Sequence, residues 1–331
     1  ATSAAPAAAA AAAAAITATA AATAAGAVAL GSTTACRGAA ELSAHSSQGM
    51  RERQEDAWVA DSERGLFGVF DGHRGQLVAH FLRDRFANTL RRHESQAADK
   101  GAALLATFTE LSDHVLDDPA LDHQGSTGVA VLLDGRERIW TANLGDSRAV
   151  LCRGGQALNI TTDHRPDTSD ERARIEALGG NVRWVGLCGP ERRPVKGLGV
   201  FRINGNLAVS RAFGDKDNSP LISHVPDIRC FEREAAQDEF IILGSDGLWD
   251  VIDSQDAVNF VRHVVAGSLG RGEHYCAEKG SRSPNRPVKQ AADCTLHREH
   301  VAQYLVEEAL RCGSFDNVTC LVVWLTTEAD G

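Results

Sequence analysis

From residue 57 onward, short apolar runs alternate with stretches in which apolar residues recur at helical spacing. An apolar run of about five residues bounded by turn-forming residues predicts a buried strand. The clearest runs are 57–60, 66–70, 129–133, 240–243 and 318–325. Aspartate stands close to one end of three of them, at Asp71, Asp246 and Asp316. A single aspartate in this position is usually a turn former, but the repetition favours ligands for a common partner.

The first two runs predict a β-hairpin around the turn 61–65. If the strands pair about the turn centre, Asp56 lies opposite Asp71, and Glu55 lies beside them. Like charges at this separation are unfavourable unless a cation lies between them. Register slippage would instead separate the two carboxylates.

Helical spacing of apolar residues predicts the main helices. They are expected over 74–93, 101–116, 254–265 and 299–311. Asp253 and Ser254 are expected to cap the third of these. Residues 168–171 (TSDE) match a capping box, and Gly179 and Gly180 supply a stop signal, so a short helix is expected between them.

Two further segments are predicted from their turn residues. Residues 137–143 and 148–152 are expected to form a hairpin, with Leu144 to Ser147 at its tip. Residues 183–202 contain several glycines, two prolines and five basic residues, which predicts a mobile surface loop. That loop is either a solvated surface or a contact for an acidic or phosphorylated partner.

Residues 1–39 form an alanine-rich segment whose first charge is Arg37. We interpret it as a low-complexity tail or loose helix outside the globular domain, which is expected over 40–331. A remnant of a signal or transit peptide is a second interpretation, although no charged leader region precedes it. A membrane span is a third, although alanine is weakly apolar and polar residues interrupt the run.

Residues 267–298 are polar and rich in Gly, Ser and Pro, which indicates an insertion. His and Cys residues in and just after it offer zinc ligands, but their spacing fits no compact zinc module. They are His274, Cys276, Cys294, His297 and His300.

Composition limits the classes of function. The chain of 331 residues is 43% hydrophobic and carries a net charge of −10, which allows a sizeable core and gives no overall attraction to nucleic acid or an anionic membrane. Its eight cysteines include no CxxC pair, which predicts reduced thiols and a reducing compartment.

The acidic residues at the strand ends suggest a metal centre. If the last strand runs antiparallel to the two that precede Asp71 and Asp246, the carboxylates of Asp71, Asp246 and Asp316 meet at one sheet edge. Glu55 and Asp56 join them through the hairpin. Hard oxygen ligands favour Mg²⁺ or Mn²⁺ over zinc. Two such ions about 3.5–4 Å apart form a known device for hydrolysing phosphate esters, in which a bridging water is activated.

Eight short motifs make the chain recognisable. They are RxxxED at 51–56, DGHxG at 71–75, GST at 125–127, GDSR at 145–148, DHxP at 163–166, LAVSRAxGD at 207–215, SDGLWD at 245–250 and DN at 316–317. In this order they resemble the metal-dependent protein serine/threonine phosphatases of the type 2C (PPM) family. The resemblance implies an α+β fold, a four-layer αββα sandwich of two central antiparallel β-sheets flanked by helices.

The resemblance also implies a role for each acidic residue. Asp71 would bridge two Mn²⁺ or Mg²⁺ ions, and Asp246 and Asp316 would complete the first site. Glu55 and the carbonyl of Gly72 would serve the second site, with Asp56 acting through water. A weaker third metal would bind the remaining pair, Asp146 and Asp250.

Two further residues would handle the substrate. Arg51 would hold the phosphate, because a guanidinium fork matches phosphate oxygens. His73 would act as the general acid that protonates the leaving serine or threonine oxygen. The implied reaction is hydrolysis of phosphoserine and phosphothreonine in proteins in one in-line step.

The chain departs from the family pattern at several points. Arg74 stands where glycine is frequent after Asp-Gly-His, and Gly128 stands where alanine is usual. Residues 183–202 correspond to a flap beside the cleft and are longer than usual, and the insertion at 267–298 is unusual. These departures bear on substrate choice rather than on the chemistry.

Two other functions remain open at this stage. The same fold could serve as a binding module without activity, which is usually accompanied by loss of ligating acids, or it could hydrolyse a different phosphate ester. The expected partners are phosphoprotein substrates, with no nucleic acid and no membrane, and a monomer is expected by resemblance. The expected location is cytoplasmic or nuclear, unless the N-terminal segment targets the chain elsewhere or to secretion.

Overall fold

The structure is a computed structural model that describes residues 40–189, 193–267, 275 and 298–325. The strands in these residues are β1 Glu41–Ser47, β2 Ala57–Asp61, β3 Leu66–Phe70, β4 Gly72–His73, β5 Gly125–Ser126, β6 Gly128–Asp134, β7 Arg138–Leu144, β8 Arg148–Arg153, β9 Gln156–Asn159, β10 Val182–Cys188, β11 Pro194–Ile203, β12 Phe213–Gly214, β13 Asp227–Glu232, β14 Asp238–Gly244 and β15 Val318–Trp324. The helices are α1 Leu77–Glu94, α2 Lys100–Asp117, α3 Ser169–Ala177, α4 Asp246–Trp249, α5 Ser254–Val265 and α6 Val301–Arg311, with short 3-10 turns at Pro119–Leu121 and Lys216–Asn218.

Two five-stranded antiparallel sheets form the centre of the described fold. Sheet I has the strand order β13-β7-β6-β3-β2, and sheet II has the order β1-β15-β14-β8-β9. A smaller sheet, β12-β5-β4, lies beside α1 and α2 and carries Gly72 and His73.

Side chains of β3 alternate between two cores, as expected for a strand buried on both faces. Phe67 and Val69 pack in the layer between the sheets, where they join residues of β6, β8, β14 and β15. Leu66 and Phe70 point the other way, into a core formed with α1 and α2. A third core lies between sheet II and the helices α5 and α6. These cores make four layers, which confirms the predicted α+β sandwich.

The predicted hairpin over 137–152 is wrong. β7 pairs with β6 and β13 in sheet I, whereas β8 pairs with β14 and β9 in sheet II. The chain crosses from one sheet to the other at Gly145, which has φ of 114°. Each strand then buries its apolar side chains against a different sheet, and Asp146 lies at the crossing.

The predicted mobile loop over 183–202 is also wrong for its described residues. β10 and β11 pair antiparallel, with Trp184 opposite Phe201. Their rings lie 5.3 Å apart at a steep angle, a favourable edge-to-face arrangement. Residues 190–192 lie outside the described part of this hairpin.

The helix predictions are confirmed to within a few residues, and so is one of the two predicted caps. The side chain of Asp253 accepts a hydrogen bond from the backbone of Asp256 at the start of α5. The capping box before α3 does not form, because Glu171 pairs with Arg174 and Arg211 instead.

Several predictions fall on other segments. The alanine-rich segment 1–39 and the zinc candidates His274, Cys276, Cys294 and His297 lie outside the described residues. Cys152, Cys188, Cys230 and Cys320 are free thiols. No helix within the described ranges has the length and apolarity needed to span a bilayer.

Candidate active site

The acidic residues meet where the two sheets end, and this corrects the prediction of a single sheet edge. Asp71 follows β3 in sheet I, whereas Asp246 and Asp316 lie at the ends of β14 and β15 in sheet II. The packing of the two sheets therefore brings the carboxylates together. The predicted hairpin register is confirmed, because Ala57 pairs with Phe70 and the next step places Asp56 opposite Asp71.

Asp71 lies at the centre of the cluster. Its backbone N–H donates to Thr127 Oγ1 at 3.3 Å, and its carbonyl accepts from the backbone of Thr127 at 2.8 Å. Burial raises the pKa of Asp71 well above its usual range, and repulsion from Asp246 and Asp56 raises it further. A cation placed here would relieve both effects.

Asp56 is buried, with 5% of its surface exposed. Its Oδ2 accepts hydrogen bonds from Ser245 Oγ at 2.8 Å and Thr319 Oγ1 at 2.7 Å. Its Oδ1 has no hydrogen-bond partner among the described residues. Burial raises the pKa of Asp56 to about 6. An unpartnered buried carboxylate oxygen is costly in a native protein, so it points to a cation or an ordered water as its partner.

Arg51 and Asp316 form an ion pair at the open side of the cluster, with Arg51 Nη2 2.5 Å from Asp316 Oδ2. More than half of the Arg51 side chain is exposed. Burial opposes its charge, but attraction by Asp316, Asp246 and Asp71 raises the pKa of Arg51 overall. Arg51 is therefore a charged group at the cleft mouth, directed toward the carboxylates that resemblance assigns to metals.

Glu55 and Gly72 are positioned by tight backbone packing. The backbone N–H of Glu55 donates to Asn317 Oδ1 at 2.7 Å. A Cβ atom on Gly72 would lie 2.5 Å from the carbonyl oxygen of Glu55, so only glycine permits this approach. The Asn317 side chain also donates to the carbonyls of Gln48 and Arg53 at 2.8 and 2.9 Å. Asn317 thus ties the loop that carries Arg51 and Glu55 to the start of β15.

His73 pairs with Asp215, with its Nε2 2.5 Å from Asp215 Oδ2. Asp215 is almost completely buried and has a left-handed backbone, with φ of 51°. The pair depends on Gly125, since a Cβ there would lie 2.3 Å from Asp215 Oδ2 and 2.4 Å from His73 Nε2. Sequence reasoning included Asp215 in a motif but gave it no role.

Arg74 adopts a left-handed backbone with φ of 62°. This geometry explains why glycine is favoured there, because a side chain in this region costs about 1–2 kcal/mol. The Arg74 guanidinium donates to Asn206 Oδ1 at 2.7 Å and lies 3.8 Å from Asp215. It adds a positive charge beside His73.

Asp146 and Asp250, the predicted third metal site, share the guanidinium of Arg165. Arg165 donates to Asp250 Oδ1 at 2.6 Å, and its Nε lies 3.7 Å from Asp146 Oδ2. Burial raises the pKa of Asp146 to about 6, against the opposing effect of Arg165. Sequence reasoning did not identify Arg165, because its partners lie far from it along the chain.

The residues at the centre have the chemistry that hard divalent cations require. Carboxylate and carbonyl oxygens are the ligands that Mg²⁺ and Mn²⁺ prefer, and the Asp56 oxygen without a partner adds a further acceptor. Within the described ranges, no three His, Cys, Asp or Glu side chains already converge as a formed metal site.

Comparison with known proteins identifies the family. The family model for protein phosphatase 2C matches residues 27–318. The chain belongs to the protein phosphatase 2C family. As a member of this family, it is a protein serine/threonine phosphatase, and the family is metal-dependent.

Individual relatives agree with this assignment. The chain is 37% identical over 286 residues to probable protein phosphatase 2C 59 of Oryza sativa subsp. japonica, covering 84% of this chain and 73% of that one. A C. elegans sex determining protein shares the fold, with a TM-score of 0.71 and 21% identity over 87% of this chain and 65% of that one. A serine-threonine phosphatase 2C from Toxoplasma gondii has a TM-score of 0.63 and 23% identity, covering 86% of this chain and 95% of that one.

Proposed function

We propose that this phosphatase hydrolyses phosphoserine and phosphothreonine in proteins at a centre of two Mn²⁺ or Mg²⁺ ions. The observation that carries the proposal is the crowding of Asp71, Asp56 and Asp246, whose pKa values are all raised by burial, with repulsion from neighbouring carboxylates adding to it. Carboxylates kept this close in a folded protein indicate that a cation normally balances them.

The ligand assignment follows from position. Asp71 lies between the two sheets' acidic residues and would contact both ions, with Asp246 and Asp316 on one side. Glu55 and the Gly72 carbonyl would serve the other side, and Asp56 would act through water. Two such ions, when bound, would make a water molecule nucleophilic at neutral pH and neutralise phosphoryl charge.

Arg51 would bind the substrate phosphate. Its exposed guanidinium pairs with Asp316 in the structure, so a ligand cation at Asp316 would weaken that pair and free the fork for phosphate oxygens. The phosphate would then lie between Arg51 and the carboxylate cluster, with its ester oxygen toward the cleft rim.

His73 would hold the proton for the leaving oxygen. Its Nε2 is engaged by Asp215, and Nδ1 has no hydrogen-bond partner in the described part of the chain. Nδ1 is therefore the nitrogen that would donate to the serine or threonine oxygen. The buried carboxylate of Asp215 fixes the orientation of the ring.

The test is phosphate release from a phosphothreonine peptide and from a phosphosugar, both with Mn²⁺. The proposal expects kcat/KM at least 100-fold higher on the peptide. Asp71→Asn should remove nearly all peptide turnover, whereas Asp217→Asn, a change to an exposed acid on the 3-10 turn outside the cluster, should leave it unchanged. Equal rates on both substrates, or full activity in a folded Asp71→Asn protein, would contradict it.

A further inference from the structure

Arg165 lies between Asp146 and Asp250, the acidic pair that the family resemblance assigns to a third metal. Its Nη2 donates to Asp250 Oδ1 at 2.6 Å. Its Nε lies 3.7 Å from Asp146 Oδ2 and 3.6 Å from Asp163 Oδ2. About a third of the side chain is exposed, so the guanidinium is partly shielded from solvent. One monovalent cation thus lies among three carboxylates.

The backbone and neighbours of Arg165 fix this placement. Its carbonyl accepts from Thr168 Oγ1 at 2.9 Å and from the Thr168 backbone at 3.1 Å, just before α3. The preceding residue, His164, exchanges two hydrogen bonds with Gly145: its N–H donates to the Gly145 carbonyl at 2.9 Å, and its Nδ1 accepts from the Gly145 N–H at 3.1 Å. The segment carrying Arg165 is therefore fastened to the crossing that carries Asp146.

Asp163 is oriented independently. Arg148 holds it through two hydrogen bonds of 2.9 and 2.6 Å, which is the bidentate arrangement of a guanidinium with a carboxylate. The charge of Asp163 is thus already balanced. The guanidinium of Arg165 is left to serve Asp146 and Asp250.

The charge of Arg165 is permanent in this setting. A guanidinium does not lose its proton to admit a metal, as a histidine or carboxylic acid can. A divalent cation at Asp146 and Asp250 would have to displace the whole side chain.

We propose that Arg165 itself supplies the positive charge between Asp146 and Asp250, so that this phosphatase binds two divalent ions tightly and a third only by displacing the guanidinium. The inference rests on the proposed two-cation centre. It assigns Arg165 as a resident cation that sets the number of metals bound. The third site would then fill only at high metal concentration.

The test counts Mn²⁺ bound to the full chain by isothermal titration calorimetry and by the free-Mn²⁺ signal in electron paramagnetic resonance. Two tight ions are expected for the wild type. Arg165→Met removes the charge while keeping most of the length, and it should strengthen a third site at least tenfold. Adding Asp250→Asn to Arg165→Met should abolish that gain.

Arg172→Met is the matched control. Arg172 lies on α3, where its guanidinium is 3.6 Å from Glu176 and 5.5 Å from the Phe201 ring. The Arg172→Met variant should bind the third Mn²⁺ with the same affinity as the wild type. If Arg165→Met does not fold, Arg165→Lys gives the same test. A lysine is a shorter point charge that cannot bridge both carboxylates. It should therefore strengthen metal binding at the third site, by a smaller factor than Arg165→Met.

The outcomes separate the two proposals. The role of Arg165 would be overturned if a folded Arg165 variant still binds two ions tightly and its affinity for the third changes less than twofold. That result would leave the two-cation centre standing. No tight ion in the wild type would overturn the centre itself. A tight third ion in the wild type would also contradict Arg165 as the resident cation.

Discussion

His73 Nε2 lies 2.5 Å from Asp215 Oδ2, and Gly125 is the residue that leaves room for the contact. The two partners are 142 positions apart in the chain. β4 and β5 of the small sheet pair His73 with Gly125, and β12 brings Asp215 to the same place through its pairing with β5. The small sheet therefore assembles the proposed proton donor and the carboxylate that orients it.

Asp215→Asn should slow the reaction on peptides far more than on an aryl phosphate. A positioned general acid contributes about 10²–10⁴-fold, so we expect about a 100-fold loss of kcat on a phosphothreonine peptide. Nitrophenyl phosphate has a weakly basic leaving group that needs little protonation, so its kcat should fall less than tenfold. Steady-state kinetics on both substrates measure the difference, and an equal loss on both would contradict the role of the pair.

Gly125→Ala should also lower kcat more on a phosphothreonine peptide than on nitrophenyl phosphate, for a steric reason. The added methyl would lie within 2.4 Å of both Asp215 Oδ2 and His73 Nε2 and would force them apart. Gly135→Ala is the control for an added methyl group, because no atom lies within 4 Å of a Cβ there; its backbone, unlike that of Gly125, is left-handed. If the Gly125 variant keeps full peptide turnover, the contact is not needed for catalysis.

Asp56→Asn should stabilise the metal-free protein at neutral pH. Burial raises the pKa of Asp56 from its ordinary value of 3.8 to about 6, so the folded state holds the proton more tightly than the unfolded chain. Its contribution to the free energy of unfolding therefore falls as the pH rises from about 4 to about 6. The amide oxygen can still accept from Ser245 and Thr319, while the charge is gone.

Chemical denaturation in chelator at several pH values checks this. We expect the variant to gain on the order of 3 kcal/mol over the wild type at pH ~7.5, and the gain to disappear below about pH 4. Mn²⁺ should reverse the order at neutral pH, since the charged form would then be balanced. A stability gain that does not depend on pH would contradict the raised pKa of Asp56.

Arg74→Gly should change peptide preference with little change in stability. It relieves a backbone cost of about 1–2 kcal/mol but loses the hydrogen bond to Asn206 and makes the unfolded chain more flexible, so these effects nearly cancel. We expect the wild type to favour phosphopeptides with acidic flanking residues, because Arg74 adds a charge at the rim. The ratio of KM values for acidic and neutral peptides should approach one in the variant, and an unchanged ratio would contradict it.

Local pattern was sufficient for β2, β3, β6, β14 and β15 and for the acidic residues that lie next to three of them. The turn 61–65 set the register of Asp56 against Asp71, because a short hairpin leaves few alternatives. The same reasoning failed at 137–152, since a glycine turn serves equally for a hairpin and for a crossing between sheets. Which sheet β8 joins is decided by its apolar contacts with β14 and not by the turn.

Contacts between distant segments were beyond local pattern. Asp215 and Arg165 find their partners only after the sheets pack, so their roles had no signal in neighbouring residues. The hairpin β10–β11 was missed for a different reason. Its glycines and prolines suggested a loop, although Gly186 and Gly199 lie opposite each other and allow the strands to approach closely.

The proposed metal centre is best tested by phosphate release from a phosphothreonine peptide by the same protein sample with chelator, with Mn²⁺ and with Mg²⁺. We expect no release in chelator and full recovery when either ion is added in excess, because the proposed centre needs a cation to bring a water to the phosphate. Release that continues in chelator by a folded, metal-free protein would contradict the proposed centre.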